Sequence, residues 1–170
     1  IKRDVDKMYV ILPFEKDFYE KKHHYPVGFV GHPLIDAIHN HPAMDSGVFR
    51  KENQLNDKPI IAILPGSRKQ EITKMLSVML SVVNDFPDYQ FVIAGAPSQE
   101  FSFYEGFITN ENIKFVSNKT YDLLSNATAA LVTSGTATLE TALFKVPEVV
   151  CYKGSSISYQ IAKRIITLKY

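Results

Sequence analysis

Two short stretches carry residue types that grip phosphate: LPGSR at 64–68 and TSGTATLE at 133–140. Each follows an apolar run and precedes apolar residues at helical spacing. In the second, Ser134 and Gly135 make a turn and Thr136 opens a helix. The first N–H groups of a helix have no partner inside it, and the helix dipole adds positive potential, so this turn is an anion site. Gly135 lets the backbone approach a ligand, and the Ser134 and Thr136 hydroxyls add donors. Glu140 stands four residues beyond Thr136, one turn up on the same face. A capping box would place its acid at 137 or 139, so Glu140 is not explained as a cap. A carboxylate there can accept both hydroxyls of a ribose.

In LPGSR, Gly66 permits a tight turn, and Ser67 with Gln70 three residues on fits a capping box. Arg68 then stands at a helix start, where the dipole disfavours a cation unless an anion lies between them. A guanidinium can clamp phosphate oxygens in pairs. The plainer readings are an ordinary capped helix, a solvent-facing Glu140 and a surface Arg68. Finding both loops in one chain favours the phosphate site. Neither loop matches GxxxxGK[ST] or GxGxxG.

The elements that must position these loops alternate. Residues 8–12, 27–30, 60–64, 90–95, 113–116, 129–133 and 149–152 read as strands. IIAIL at 60–64 shows no polar alternation, as expected of a strand covered on both faces. Helices are expected over 15–22, 34–39, 69–85, 136–145 and 156–169, with Thr120 capping another through Leu124. Strands alternating with helices imply right-handed crossovers and a parallel sheet, hence an α/β, Rossmann-like domain with helices on both faces. The polar run from 41 to 58 reads as a linker or a loose helix between residues 1–40 and a domain over 59–170.

With 45% hydrophobic and 22% charged residues, a packed core is expected. A net charge of +1 and no basic tract longer than two residues give no footprint for nucleic acid. The single cysteine, Cys151, reads as a buried thiol in a reducing compartment. His23, His24, His32, His39 and His41 lack convincing ligand spacing, so no metal is expected. His32, with Gly31 in GHP, reads as a site or hinge residue. Ser134 lacks the GxSxG context of a serine hydrolase. The last helix carries Ile157, Ile161, Ile165 and Leu168 on one side, a core face before a membrane-surface face. No run approaches the ~20 apolar residues of a membrane span. The chain opens on Ile1, not Met, with polar residues close behind, so no signal peptide and a longer parent chain are expected.

In combination, LPGSRKQEI at 64–72 and SGTATLETAL at 134–143 resemble the lipid-A-disaccharide synthase family of bacterial glycosyltransferases. ILPFEKDFY at 11–19, FVGHPLIDAI at 29–38, VPEVVCYK at 146–153 and YQIAKRI at 159–165 follow the family order. Glu148 departs from the Met or small residue common there, and 96–112 matches nothing placed. The resemblance implies half of a GT-B fold, preceded by a remnant of the amino-terminal acceptor domain. It implies UDP-diacylglucosamine as donor, diacylglucosamine 1-phosphate as acceptor, and no cofactor. Gly66, Ser67, Arg68, Ser134, Gly135, Thr136, Ala137 and Glu140 would hold the UDP-sugar, with Arg68 the catalytic cation. The acceptor's base would lie outside this chain. The work would be done in the cytoplasm, peripheral to the inner membrane, and a homodimer stays open. The alternatives are another UDP-sugar enzyme, such as a UDP-N-acetylglucosamine 2-epimerase, and a non-catalytic nucleotide-binding module.

Overall fold

The computed structural model describes residues 3–42 and 44–153; the helix expected over 156–169 lies outside them. The chain divides into two compact units, Ile1–Pro42 and Ala43–Tyr170. No helix among the described residues is long and apolar enough to cross a membrane.

In the first unit, β1 (Tyr9–Val10) pairs in parallel with β2 (Gly28–Phe29). Both strands are shorter than expected. Past Val10, the N–H groups of Ile11 and Leu12 donate to Glu15 Oε2, at 3.2 and 2.8 Å, so the strand ladder ends there. Pro13 opens α1 (Pro13–Asp17), which continues as a π-helical turn over Phe18–Lys22. Helix α2 (Pro33–His39) starts where Leu34 N–H donates to His32 Nδ1 at 3.2 Å. His32 therefore has a local task as a cap, and Gly31 before it takes φ +82°.

The second unit begins with α3 (Ser46–Glu52), capped by Asp45, whose Oδ1 accepts from Val48 N–H. This helix lies inside the stretch expected to be a linker or a loose helix. Its Phe49 is 0% exposed and packs with Ala62, Val92 and Leu123. One buried aromatic anchors the polar segment to the domain. Then follow β3 (Ile60–Leu64), α4 (Lys69–Leu80), a 3-10 turn at Val83–Asp85 and β4 (Gln90–Gly95). After them come α5 (Phe101–Glu105), β5 (Ile113–Ser117), α6 (Thr120–Asn126), β6 (Ala127–Thr133), α7 (Thr136–Leu143) and β7 (Glu148–Cys151).

The five strands β3 to β7 form one parallel sheet in the order β5-β4-β3-β6-β7. Alternate residues feed opposite faces. Ala62, Leu64, Val92, Ala94, Ala130 and Val132 pack with α3 and α6. Ile63, Phe91 and Ile93 pack with Ile72, Met75, Leu76 and Met79 of α4 and Tyr104 of α5. Both faces of the central strands are thus covered, which is why β3 reads as an unbroken apolar run.

Glu148, at the start of edge strand β7, is half-buried, and its Oε2 has no partner among the described residues. Burial pushes its carboxyl above the ordinary 4.5. A pKa raised by folding means that folding favours the neutral acid. The stability is fully present below 4.5 and is lost as pH rises through the folded value. Glu148→Gln is therefore expected to raise Tm at pH 7 by roughly 1–3 °C. The variant should also gain less stability than the wild type when the buffer is taken from pH 7 to 4.5. Thermal unfolding at the two pH values checks both.

Candidate functional site

The sheet order reverses direction between β3 and β6. From β3 the chain moves outward to β4 and β5, then returns to lay β6 and β7 on the other side. In such sheets the loops beyond the two central strands part, one over each face, and leave a crevice at their carboxyl ends. Ile63 pairs with Leu131 and Leu64 with Val132, so Pro65–Arg68 and Ser134–Thr136 leave the sheet side by side.

Around that point lies a cavity of about 290 Å³. Gly66 and Ser67 from the first loop and Ser134, Gly135, Thr136, Ala137 and Glu140 from the second all line it. Gly66 has φ +101°, and a Cβ there would run into the Glu71 carboxylate. Gly135 has φ +153° and stands at the N-cap of α7 with no side-chain cap hydrogen bond. No side chain caps the start of α7, and its first residues, Thr136 and Ala137, line the cavity. Thr138, not Ser134 or Thr136, turns back to the backbone, its hydroxyl donating to the Gly135 carbonyl at 2.7 Å.

Arg68 is placed differently. It lines an adjoining cleft of about 400 Å³ with Lys69, Gln70, Lys74, Tyr152 and Lys153. Glu71 and Thr133 line both hollows and form the wall between them. Arg68 is itself the N-cap residue of α4 and makes no side-chain cap bond. The expected Ser67–Gln70 capping box is thus not formed: the helix starts one residue later. The Ser67 carbonyl instead accepts from the Ser98 hydroxyl at 3.0 Å. Likewise Lys119, not Thr120, is the N-cap residue of α6. Gly31 and His32 belong to the first unit.

Several site residues escaped the sequence reading. Glu71 falls inside the LPGSRKQEI stretch but was given no role there; it stands three residues after the true cap, Arg68, where an acid suits the helix dipole. Thr133 is 5% exposed, and its hydroxyl has no hydrogen-bond partner among the described residues. A buried hydroxyl without a partner is costly in an apolar wall and well placed beside a polar ligand. Ala94 to Pro97, at the tip of β4, form another wall. Their support comes from the segment that matched nothing: the Ala96 N–H donates to the Tyr104 hydroxyl of α5 at 3.0 Å. Tyr121, on α6, donates its hydroxyl to Glu140 Oε1 at 3.2 Å.

Comparison with known proteins follows the same pattern. The model of the family described as lipid-A-disaccharide synthetase matches residues 1–170. A lipid-A-disaccharide synthase of Idiomarina loihiensis is 40% identical, covering 97% of this chain and 45% of its own length. One from Coxiella burnetii is 38% identical over all of this chain and 46% of itself. Lipid-A-disaccharide synthase 1 of Legionella pneumophila is 37% identical, over 100% and 45%. The chain thus spans under half the length of these curated relatives. Among solved structures, UDP-GlcNAc 2-epimerase from Methanocaldococcus jannaschii superposes with a TM-score of 0.58 over 91% of this chain and 48% of that one. At 14% identity this likeness concerns the fold alone.

Tyr104 offers a check on the wall. It is 0% exposed, and Tyr104→Phe would leave the Ala96 N–H without its acceptor. The expected cost is about 1–2 kcal/mol in urea unfolding. Burial also raises the Tyr104 pKa above 10.0, so folding favours the neutral phenol. Its contribution is fully present below pH 10.0 and is lost as pH rises beyond it, so the gap between wild type and variant should narrow there.

Proposed function

The chain belongs to the lipid-A-disaccharide synthetase family, and from that premise we propose that it supplies the UDP-sugar-binding part of a glycosyltransferase of lipid A biosynthesis. The reaction joins UDP-2,3-diacylglucosamine to 2,3-diacylglucosamine 1-phosphate. It yields the β(1→6) disaccharide and UDP. The acceptor's 6-hydroxyl attacks the anomeric carbon, the bond from that carbon to the diphosphate breaks, and the hydroxyl proton passes to a base carried outside this chain.

One observation carries this reading: the parallel pairing of β3 and β6 sets the 64–67 turn and the open start of α7 around one cavity. Charge accumulates on the departing diphosphate, and fixed donors aimed at it lower the barrier without having to reorganise. The amides of Gly135, Thr136 and Ala137 and the hydroxyls of Ser134 and Thr136 take that role, with Gly66 and Ser67 opposite. Glu140 accepts from the ribose. The cavity, about 290 Å³, is at the lower edge of the roughly 300–1,000 Å³ of ligand sites. A nucleotide sugar must therefore run on past Thr133 into the cleft where Arg68 stands. There the guanidinium meets the diphosphate as the catalytic cation. The acyl chains of both substrates support a place at the inner face of the cytoplasmic membrane, peripheral to it. Assembly as a homodimer belongs to the same reading.

Calorimetric titration of UDP into this chain tests the site. The wild type is expected to bind. Arg68→Ala and Glu140→Ala should each weaken binding about tenfold or more, the size of a lost hydrogen bond to a charged group. No binding at all, or equal binding by all three, would overturn the assignment. The chain is further expected to release no disaccharide from the two lipid sugars. Robust turnover would show that the base lies within it.

A further inference from the structure

Glu140 is held by a closed circuit of contacts. Its backbone carbonyl accepts from the Phe144 N–H at 3.1 Å, one turn on. The Phe144 ring packs at a tilt against the Tyr121 ring, with centroids 5.3 Å apart and planes at 51°. The Tyr121 hydroxyl returns to Glu140 Oε1 at 3.2 Å. Glu140 lines the cavity and Tyr121 does not, so the phenol acts on any ligand only through the carboxylate. Burial, and after it the charge and hydrogen bond of Glu140, raise the Tyr121 pKa above the ordinary 10.0.

We propose that Tyr121 is a positioning residue that sets the site's preference for a ribonucleotide over its 2′-deoxy form, by holding the Glu140 carboxylate in one orientation. The proposal rests on the reading above, in which Glu140 accepts from the ribose. An ionised carboxylate offers about four lone-pair positions on two oxygens. With one of them taken by Tyr121, Oε2 and the rest of Oε1 stay available, in a fixed plane, for two vicinal hydroxyls. A Glu140 released from the phenol would sample several rotamers, and each bond to the sugar would then carry the cost of ordering it. The 2′-hydroxyl is the group whose value depends most on that order, because only a carboxylate in the right plane reaches both hydroxyls together.

The test is the ratio of dissociation constants for UDP and 2′-deoxy-UDP, by calorimetry, in the wild type, Tyr121→Phe and Glu140→Ala. Phenylalanine keeps the ring against Phe144 and removes only the hydroxyl, and thermal unfolding confirms that the variant is folded. The wild type is expected to favour UDP about tenfold, and Glu140→Ala to lose that preference. Tyr121→Phe should weaken UDP by about three- to tenfold and leave 2′-deoxy-UDP nearly unchanged, so that the ratio falls towards one. If Glu140→Ala loses the preference and Tyr121→Phe keeps it, or weakens both ligands alike, the positioning role is wrong and the ribose reading stands. If Glu140→Ala keeps the preference, or the wild type has none, the ribose reading falls and the role of Tyr121 with it.

Discussion

The site depends on one pairing, that of β3 with β6. These strands are far apart in sequence, and only their parallel ladder puts the 64–67 turn beside the start of α7. The register is not uniform. Ile60 pairs with Ala127 but Ile61 with Ala129, so β6 skips a residue at its start. After that irregularity Ala62 and Leu64 stand opposite Ala130 and Val132, and all four enter the same core cluster. A slip of one residue would turn Val132 towards α4 and Thr133 away from it, because side chains alternate along a strand. The register that buries the core thereby also sets Thr133 against the α4 start, where the two hollows meet.

A second constraint acts from the side. The turn after β4 has no regular structure of its own beyond short α5, yet it is tied down at both ends. Tyr104 accepts from Ala96, and Ser98 donates to the Ser67 carbonyl. Tyr104 sits among Phe103 and Phe115, at centroid distances of 5.2 and 4.9 Å, so the anchor is itself packed. Gly95 completes the arrangement: a Cβ there would overlap the Phe115 ring, so only glycine lets this ring lie against the strand tip. An irregular segment with buried anchors can hold a cavity wall as firmly as a helix does.

These relations explain what the sequence did and did not reveal. Strands β3 and β4 were legible to the residue, because covering both faces of a parallel sheet leaves uninterrupted apolar runs. The loop residues Gly66, Ser134, Gly135 and Thr136 stand between a strand and a helix, where glycine and hydroxyls serve as caps as readily as ligand donors, and only the cavity they share sets them apart. Helix α3 was legible only as one of two readings of its stretch, because a single aromatic, Phe49, supplies its burial and the polar residues around it mask that signal. The cap of α4 was misread because Ser67 and Arg68 both precede a plausible first turn, and the choice went to the residue whose backbone was extended. Tyr121 could not have been found from local pattern, and Thr133, though it opens the TSGTATLE stretch, showed no role there. The meaning of each comes from a neighbour across the fold: Glu140 for the one, α4 for the other.

The division of charge between the two hollows gives the site its direction. Glu140 and Glu71 both line the cavity, and its remaining residues are apolar or carry hydroxyls and amides. The cleft shares Glu71 with the cavity and adds Arg68, Lys69, Lys74 and Lys153. Lys69 is partly engaged, with its Nζ 5.3 Å from the Phe103 ring centroid, which leaves Arg68 and Lys74 beside the α4 start. Carboxylates accept from sugar hydroxyls and repel phosphate, whereas cations do the reverse. A nucleoside diphosphate laid across the two would therefore put its sugar in the cavity and its phosphates at the boundary. The α7 amides would lie on one side of those phosphates and Arg68 on the other. The opposite orientation would set phosphate against Glu140 and leave the cations facing water. Polarity thus favours one way for such a ligand to lie.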